Sequence, residues 1–102
     1  MEKIKEILKE KYQVELSETE KELTGQNSLI TVLIQKPHRG FDYNYILNVA
    51  TVSGFVDWVN SCAIEQRFRT IQGLTEFLET QEAYIYKQLT AHLSLEYEEA
   101  TQ

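Results

Sequence analysis

The apolar residues nearest the amino terminus recur at the spacing of an α-helix. Ile4, Ile7 and Leu8 fall on one side of a helix over residues 2–12, while glutamate and lysine occupy its other sides. Two glutamate–lysine pairs three residues apart add weak ion pairs to the same helix. The pattern therefore predicts an amphipathic helix that opens the fold and packs on a core through one narrow stripe.

The middle of the chain has the pattern of β-strands. Residues 28–35 are apolar at both odd and even positions, which is typical of a strand covered on both faces. In residues 43–49, tyrosine, leucine and valine alternate with asparagine and isoleucine, so one face is strongly apolar. The segment between them, residues 36–40, holds the single proline and is expected to be a loop. We expect the two strands to form a hairpin.

The remaining segments predict one short strand and two helices. An alternation over residues 12–16 indicates the strand, and the polar segment 17–27 that follows it ends in a turn signal. Ser53 is a suitable N-cap for a helix that reaches about Glu65. After a short connector, the apolar spacing of residues 74–98 predicts a second, long helix.

Together these elements predict the α+β class: a small two- or three-stranded antiparallel sheet with an N-terminal helix and two C-terminal helices. The number of strands depends on whether the segment 12–16 joins the hairpin. A chain of 102 residues has the usual size of one domain, so residues 1–102 are expected to share a single core.

Composition indicates where such a protein works. Hydrophobic residues make up 42% of the chain, enough for a core without disulfides, and Cys62 is the only cysteine. A secreted domain of this size usually has an even set of cysteines, so we expect a protein of the reducing cytoplasm. The charged start does not resemble a signal peptide, and the apolar runs are far shorter than the ~20 residues that span a bilayer.

The net charge of −6 is concentrated at the carboxyl-terminal end. Residues 74–102 hold six glutamates and one lysine, a net charge of −5. Such a segment can steer a partner protein with a basic surface, although a solubilising helix face would have the same composition. The candidate partner-binding residues are Glu76, Glu79, Glu82, Glu96, Glu98 and Glu99.

Two other surfaces are candidates for binding. Tyr86, Leu93 and Tyr97 form a second apolar stripe on the long helix, which is an alternative interface for a homodimer. Lys36, His38 and Arg39 precede several aromatic residues, a mixture that can hold a ligand or single-stranded nucleic acid. Direct nucleic-acid binding is not favoured, because phosphate contacts need more basic residues than this acidic chain offers.

The sequence does not predict an enzyme. The two histidines and one cysteine are scattered, whereas a zinc site needs about four ligands, so no metal or other cofactor is expected. The four glycines form no nucleotide-binding fingerprint. Cys62 falls on the apolar stripe of its predicted helix and is interpreted as a small core residue.

Two resemblances point to a role in inhibition. The segment 85–90, IYKQLT, lies in an acidic helix and resembles a stretch of the phage DNA-mimic anti-restriction proteins. The order helix, strands, helix, helix in a short acidic chain resembles some phage-encoded anti-CRISPR proteins. Either resemblance implies a stoichiometric inhibitor that occupies the nucleic-acid-binding groove of a host protein. No site residue is carried over from these families.

Overall fold

The computed structural model of the chain describes residues 1–38, 43–52 and 62–101, and for Cys62 and residues 92–101 it describes the backbone only. In chain order the elements are α1 (Glu2–Tyr12), β1 (Ser17–Glu18), β2 (Glu22–Gln26), β3 (Ile30–Gln35), β4 (Tyr45–Thr51), β5 (Cys62–Phe68), α2 (Ile71–Thr80) and α3 (Glu82–Thr101). The class is α+β, as the sequence predicts.

The described strands form one antiparallel sheet in which each strand pairs with the next along the chain, in the order β1-β2-β3-β4-β5. The predicted hairpin is confirmed as β3 and β4, with Ile30 opposite Thr51. The predicted number of strands is wrong, because five strands pair where two or three were expected. A bulge between Val49 and Ala50 shifts the register of β4 against β5.

Alternation along the strands divides the sheet into two faces. One face packs on the helices; we call the opposite one the outer face. Leu23, Ile34 and Leu47 lie across from one another in neighbouring strands and are fully buried. The core on the helix side consists of Ile4, Ile7, Leu8, Tyr12, Val14, Leu23, Ile30, Val32, Ile34, Leu47, Val49, Ile64, Leu74, Leu78, Ile85 and Leu89.

Helix α1 follows the prediction closely. Its apolar stripe, Ile4, Ile7 and Leu8, is buried, and Tyr12 extends that stripe by one turn. The helix ends at Gln13, which has a left-handed backbone (φ 55°), and the Val14 N–H then donates to the Leu8 carbonyl at 3.0 Å. This is a common way to stop a helix and turn the chain, although glycine is the usual residue at such a position.

Two of the missed strands lie in the polar segment 17–27, for which no strand was predicted. Residues 17–18 and 22–26 are β1 and β2, whereas Tyr12 belongs to α1, so the predicted strand over 12–16 is wrong. The expected turn signal at residues 24–27 lies mostly within β2, and the turn itself begins at Asn27. Asn27 Oδ1 accepts from the N–H groups of Leu29 and Ile30 at 2.7 and 2.9 Å, which begins β3.

The helix predicted from Ser53 to Glu65 is wrong at its carboxyl-terminal end. Residues 53–61 lie outside the described residues, but Cys62–Phe68 form β5. The predicted helix core position of Cys62 therefore becomes a strand position.

The predicted long helix over 74–98 is two helices. Helix α2 begins earlier than expected, because Thr70 Oγ1 accepts from the Gly73 N–H at 3.1 Å and caps it. It ends before Gln81, whose backbone (φ −108°, ψ 26°) leaves the helical range, and α3 starts at the next residue. Of the helices in the described residues, none has the length and apolar character that crossing a membrane requires.

Candidate functional site

The acidic residues predicted to bind a partner divide into two groups in the fold. Glu79 and Glu82 lie where α2 meets α3, beside the lysines of α1. Lys3 Nζ is 3.4 Å from Glu79 Oε1, and Lys11 Nζ is 3.7 Å from Glu82 Oε2. These two carboxylates therefore face lysines of α1, whose positive charges partly offset theirs.

The other acidic residues are further from α1. Glu76 is exposed on α2 and makes no ion pair within the described residues. Glu96, Glu98 and Glu99 belong to the last two turns of α3, for which the structure describes the backbone. The last described side chain of α3 that is buried is Leu89. The helix continues for 12 residues beyond it, about 18 Å at 1.5 Å per residue.

The apolar stripe proposed for a homodimer is partly used inside the fold. The ring of Tyr86 stacks on that of Tyr12, with centroids 5.6 Å apart and planes inclined by 18°, and its hydroxyl donates to the Lys11 carbonyl at 3.2 Å. Burial and the nearby Glu82 carboxylate raise the pKa of the Tyr86 hydroxyl. Leu93 and Tyr97 lie in the part of α3 described by its backbone, so Tyr86 is the member whose contacts are known.

Of the basic candidates Lys36, His38 and Arg39, the first is already bound within the fold. Lys36 Nζ lies 2.6 Å from Glu18 Oε2 and donates to the Thr19 carbonyl at 2.9 Å. His38 is exposed, and Arg39 lies outside the described residues. Lys36 therefore fastens the end of β3 to β1, which leaves less of its charge for a ligand.

Glu18 joins three elements. Besides Lys36 it binds Lys5 of α1, with Nζ and Oε1 2.8 Å apart. Hydrogen bonds from Lys36 and Lys5 hold the pKa of Glu18 at about 2, well below its usual 4.5. Since β1 has two residues and both are exposed, this carboxylate is the main side-chain anchor of that strand.

The ion pairs of Glu18 make the free energy of unfolding depend on pH under acidic conditions. Because its pKa is lower in the folded state, the carboxylate stabilises the fold above the unfolded pKa of about 4.5, and this contribution is lost as the pH falls towards 2. We expect Glu18→Gln to be less stable than the natural chain at pH 7, with the difference shrinking below pH 4.5. Urea unfolding across this range measures it. Glu20→Gln, which removes an exposed carboxylate with no ion pair in the described residues, should show no such trend.

One candidate surface could not be found from the sequence. A shallow hollow of about 570 Å³ lies on β2 and β3, and we call it the β2–β3 hollow. It is lined by Glu22, Thr24, Gly25, Gln26, Thr31, Val32 and Leu33. Because no strand was predicted over residues 22–26, the side chains that β2 places beside β3 did not stand out as a group.

Thr31 is the unusual residue of the β2–β3 hollow. It is 7% exposed, and within the described part of the chain its hydroxyl has no hydrogen-bond partner. An unpaired buried hydroxyl costs roughly 1–3 kcal/mol, so most such groups in folded proteins are paired. The hydroxyl oxygen itself is inaccessible in the wall of the hollow, so it is a buried polar group without a partner in the described chain.

No metal site is visible in the described side chains, among which no three histidine, cysteine or carboxylate groups lie close enough to share an ion. Comparison of the chain with protein-family models, with curated proteins and with solved structures found no match. The function proposed below is therefore argued from the residues and the geometry alone.

Proposed function

We propose that this protein is a small, non-enzymatic interaction module that uses the acidic end of α3 to bind a basic surface of a partner protein. Residues 88–102 carry Glu96, Glu98 and Glu99 and contain no lysine or arginine. The partner that suits this charge is a nucleic-acid-binding protein, whose groove is basic because it holds phosphates. Occupying that groove would make the protein a stoichiometric inhibitor or regulator.

The placement of these glutamates supports the proposal. The carboxyl end of a helix already carries about half a negative charge, so each glutamate there costs the helix some tenths of a kcal/mol. Charges that oppose local stability are commonly explained by function. Here they add to the field of the helix terminus and give one strongly negative end.

The division of the acidic residues supports it as well. Glu79 and Glu82 are paired with lysines of α1, so they add little to the field around the molecule. The glutamates near the end of α3 lie two to three turns beyond Leu89, the last residue of that helix that is known to be buried. These glutamates therefore lie beyond the part of α3 that contributes described side chains to the core.

The test is capture of a partner from lysate by the tagged protein, washed at about 50 mM and then about 500 mM salt. These concentrations reduce the Debye length from about 14 Å to about 4 Å, so contacts made through charge are released by the second wash. We expect mass spectrometry to find a nucleic-acid-binding protein in that wash. The triple variant Glu96→Gln, Glu98→Gln, Glu99→Gln should no longer capture it.

The matched control removes the same charge elsewhere. Glu6, Glu10 and Glu20 are exposed and form no ion pair within the described residues, so changing all three to glutamine alters the net charge equally. This control should capture the partner as the natural chain does. Equal loss of capture by both triple variants would show that total charge, and not the end of α3, is responsible, and would contradict the proposal.

A further inference from the structure

Helices α2 and α3 are separated by a single residue that is not a typical helix breaker. Gln81 leaves the helical range, yet the segment around it, residues 77–85, contains no glycine and no proline. Helical hydrogen bonds continue on both sides of the break, from the Gln81 N–H to the Phe77 carbonyl and from the Ile85 N–H to the Gln81 carbonyl, each at 2.9 Å. The local sequence therefore favours an unbroken helix, and the break needs another cause.

The apolar stripe passes through the break without changing sides. Leu74 and Leu78 of α2 are buried in the core, as are Ile85 and Leu89 of α3. Their spacings of four, seven and four residues are those of one face of a continuous helix. A single helix over residues 71–101 would therefore turn the same side chains towards the sheet. The direction of the stripe does not by itself impose the break.

Two side chains of α1 occupy the carbonyl groups that an unbroken helix would use. In a continuous helix, the Leu78 and Glu79 carbonyls accept from the N–H groups four residues further on. Here Tyr12 Oη donates to the Leu78 carbonyl at 2.8 Å, and Lys11 Nζ donates to the Glu79 carbonyl at 3.1 Å. Among the described residues, the N–H groups four residues further on form no hydrogen bond to α2. Helix α1 therefore supplies the donors that α3 would otherwise provide.

Helix α3 in turn binds the carboxyl end of α1. The Tyr86 hydroxyl donates to the Lys11 carbonyl at 3.2 Å, and the Tyr86 ring stacks on that of Tyr12. The Lys11 ammonium also lies 3.7 Å from Glu82 Oε2, in the first turn of α3. The last turn of α1 therefore contacts the helix ends on both sides of the break.

We propose that Gln81 is a hinge with two states and that Lys11 and Tyr12 of α1 hold it in the bent state. While these two residues make their hydrogen bonds, α2 and α3 are separate helices. When both donors are withdrawn, the freed carbonyls accept from the start of α3 instead, and residues 71–101 become one helix. Both states satisfy the same carbonyl groups, so the choice between them depends on α1.

The hinge determines where the carboxyl end of α3 points. A helix of 20 residues is about 30 Å long, so a change of about 20° in the bend moves its end by about 10 Å. That distance exceeds the Debye length of about 8 Å at physiological salt. Helix α1 therefore sets the position from which Glu96, Glu98 and Glu99 act on their surroundings. This consequence for binding rests on the function proposed above, whereas the hinge does not.

The test removes both donors and keeps the bulk of their side chains. In the double variant Lys11→Met, Tyr12→Phe, we expect hydrogen exchange of the Glu82 and Ala83 amides, measured by NMR, to slow at least about fivefold, because they gain carbonyl acceptors. Residual dipolar couplings of the same sample should show the axes of α2 and α3 closer to one line. In the natural chain, both amides should exchange rapidly and the axes should be inclined.

The matched control removes an ammonium and a tyrosine hydroxyl elsewhere. The Lys9 side chain is 70% exposed and Tyr43 is 73% exposed, and both lie away from the break. The double variant Lys9→Met, Tyr43→Phe should leave the exchange rates and the inclination of the helices unchanged. Lys11→Met alone, at a side chain that is 39% exposed, replaces the first double variant if that one does not fold. It should slow exchange of the Ala83 amide about twofold.

Unchanged exchange of the Glu82 and Ala83 amides in a folded variant without the donors would overturn the proposal, as would an unchanged inclination of α2 and α3. Packing of α3 on the sheet would then be the cause of the break. Equal slowing of exchange in the control would overturn it too, because the effect would not come from the end of α1. Capture of a partner by the end of α3 is measured separately, so either proposal can fail while the other stands.

Discussion

Gly25→Ala is expected to lower the free energy of unfolding by about 3 kcal/mol. Gly25 lies in β2, where the segment after α1 passes directly over it. A methyl group on its Cα would overlap the Glu15 carbonyl oxygen and lie 2.9 Å from Val14 Cγ1. The Glu15 carbonyl is backbone next to the buried Val14, so it cannot yield without moving β1 or the end of α1. Urea unfolding followed by fluorescence measures the loss.

Gly73→Ala is the matched control. A methyl group there would make ordinary contacts, 3.4 Å to Thr70 Oγ1 and 3.7 Å to Phe68 Cδ1. Because Gly73 lies in the first turn of α2, alanine should stabilise the chain by roughly 0.5–1 kcal/mol through its higher helix propensity. Equal destabilisation by the two changes would show that the close passage over Gly25 is not the cause.

Tyr12→Ala is expected to cost about 3–5 kcal/mol, as for other buried aromatic side chains. Tyr12 is 1% exposed and links the three helices that the structure describes. Its hydroxyl donates to the Leu78 carbonyl of α2 at 2.8 Å, and its ring stacks on Tyr86 of α3. Tyr84→Ala deletes the same group from a side chain that is 46% exposed, so it should cost under about 1 kcal/mol. Thermal unfolding of both variants provides the comparison.

Tyr12→Phe isolates the hydroxyl and should cost about 1 kcal/mol. It should also alter the response to alkali. Burial, and then the Glu82 carboxylate, raise the pKa of Tyr12, so the folded state holds its proton more tightly than the unfolded state does. That contribution is complete below about pH 10 and is lost as the pH rises further. The natural chain should therefore lose stability more steeply than Tyr12→Phe above pH 10, and parallel curves would contradict this.

The elements that could be predicted from the sequence are those whose burial follows a strong period. Helix α1 has a clear stripe through Ile4 and Leu8, and the hairpin of β3 and β4 has long apolar runs. β4 is more buried than its alternation indicated, because Ile46, Asn48 and Ala50 on its outer face are buried as well as the residues that face the helices. Helix α1 and this hairpin are enough to predict the α+β class.

The missed strands have weak patterns of their own. β2 has one fully buried apolar side chain, Leu23, and it contains Gly25, a residue that is frequent in turns. Its strand conformation depends on pairing with β3, which is not visible within a short window of sequence. Gln81 separates α2 from α3 without a proline or glycine, so no local signal marked that break.

The candidate site was likewise predictable only where it does not depend on contacts between distant residues. Charge density identified the end of α3, because charge is a property of the sequence itself. The partners of Glu79 and Glu82 are lysines of α1 about 70 residues away, so their pairing became visible in the fold only. The β2–β3 hollow depends on the register of two strands, one of which the pattern did not predict.

The uncrossed order of the strands has a consequence for how the chain folds during synthesis. Each described strand pairs with the strand that precedes it in the sequence. The sheet can therefore form one hairpin at a time as the chain leaves the ribosome. Helix α1 is made before the strands but packs on α2, whose Leu78 follows Tyr12 by 66 residues. The apolar stripe of α1 therefore has to wait until α2 has been made. Truncation before α2 should leave nascent chains that bind chaperones through α1, while the strand pairs are already formed.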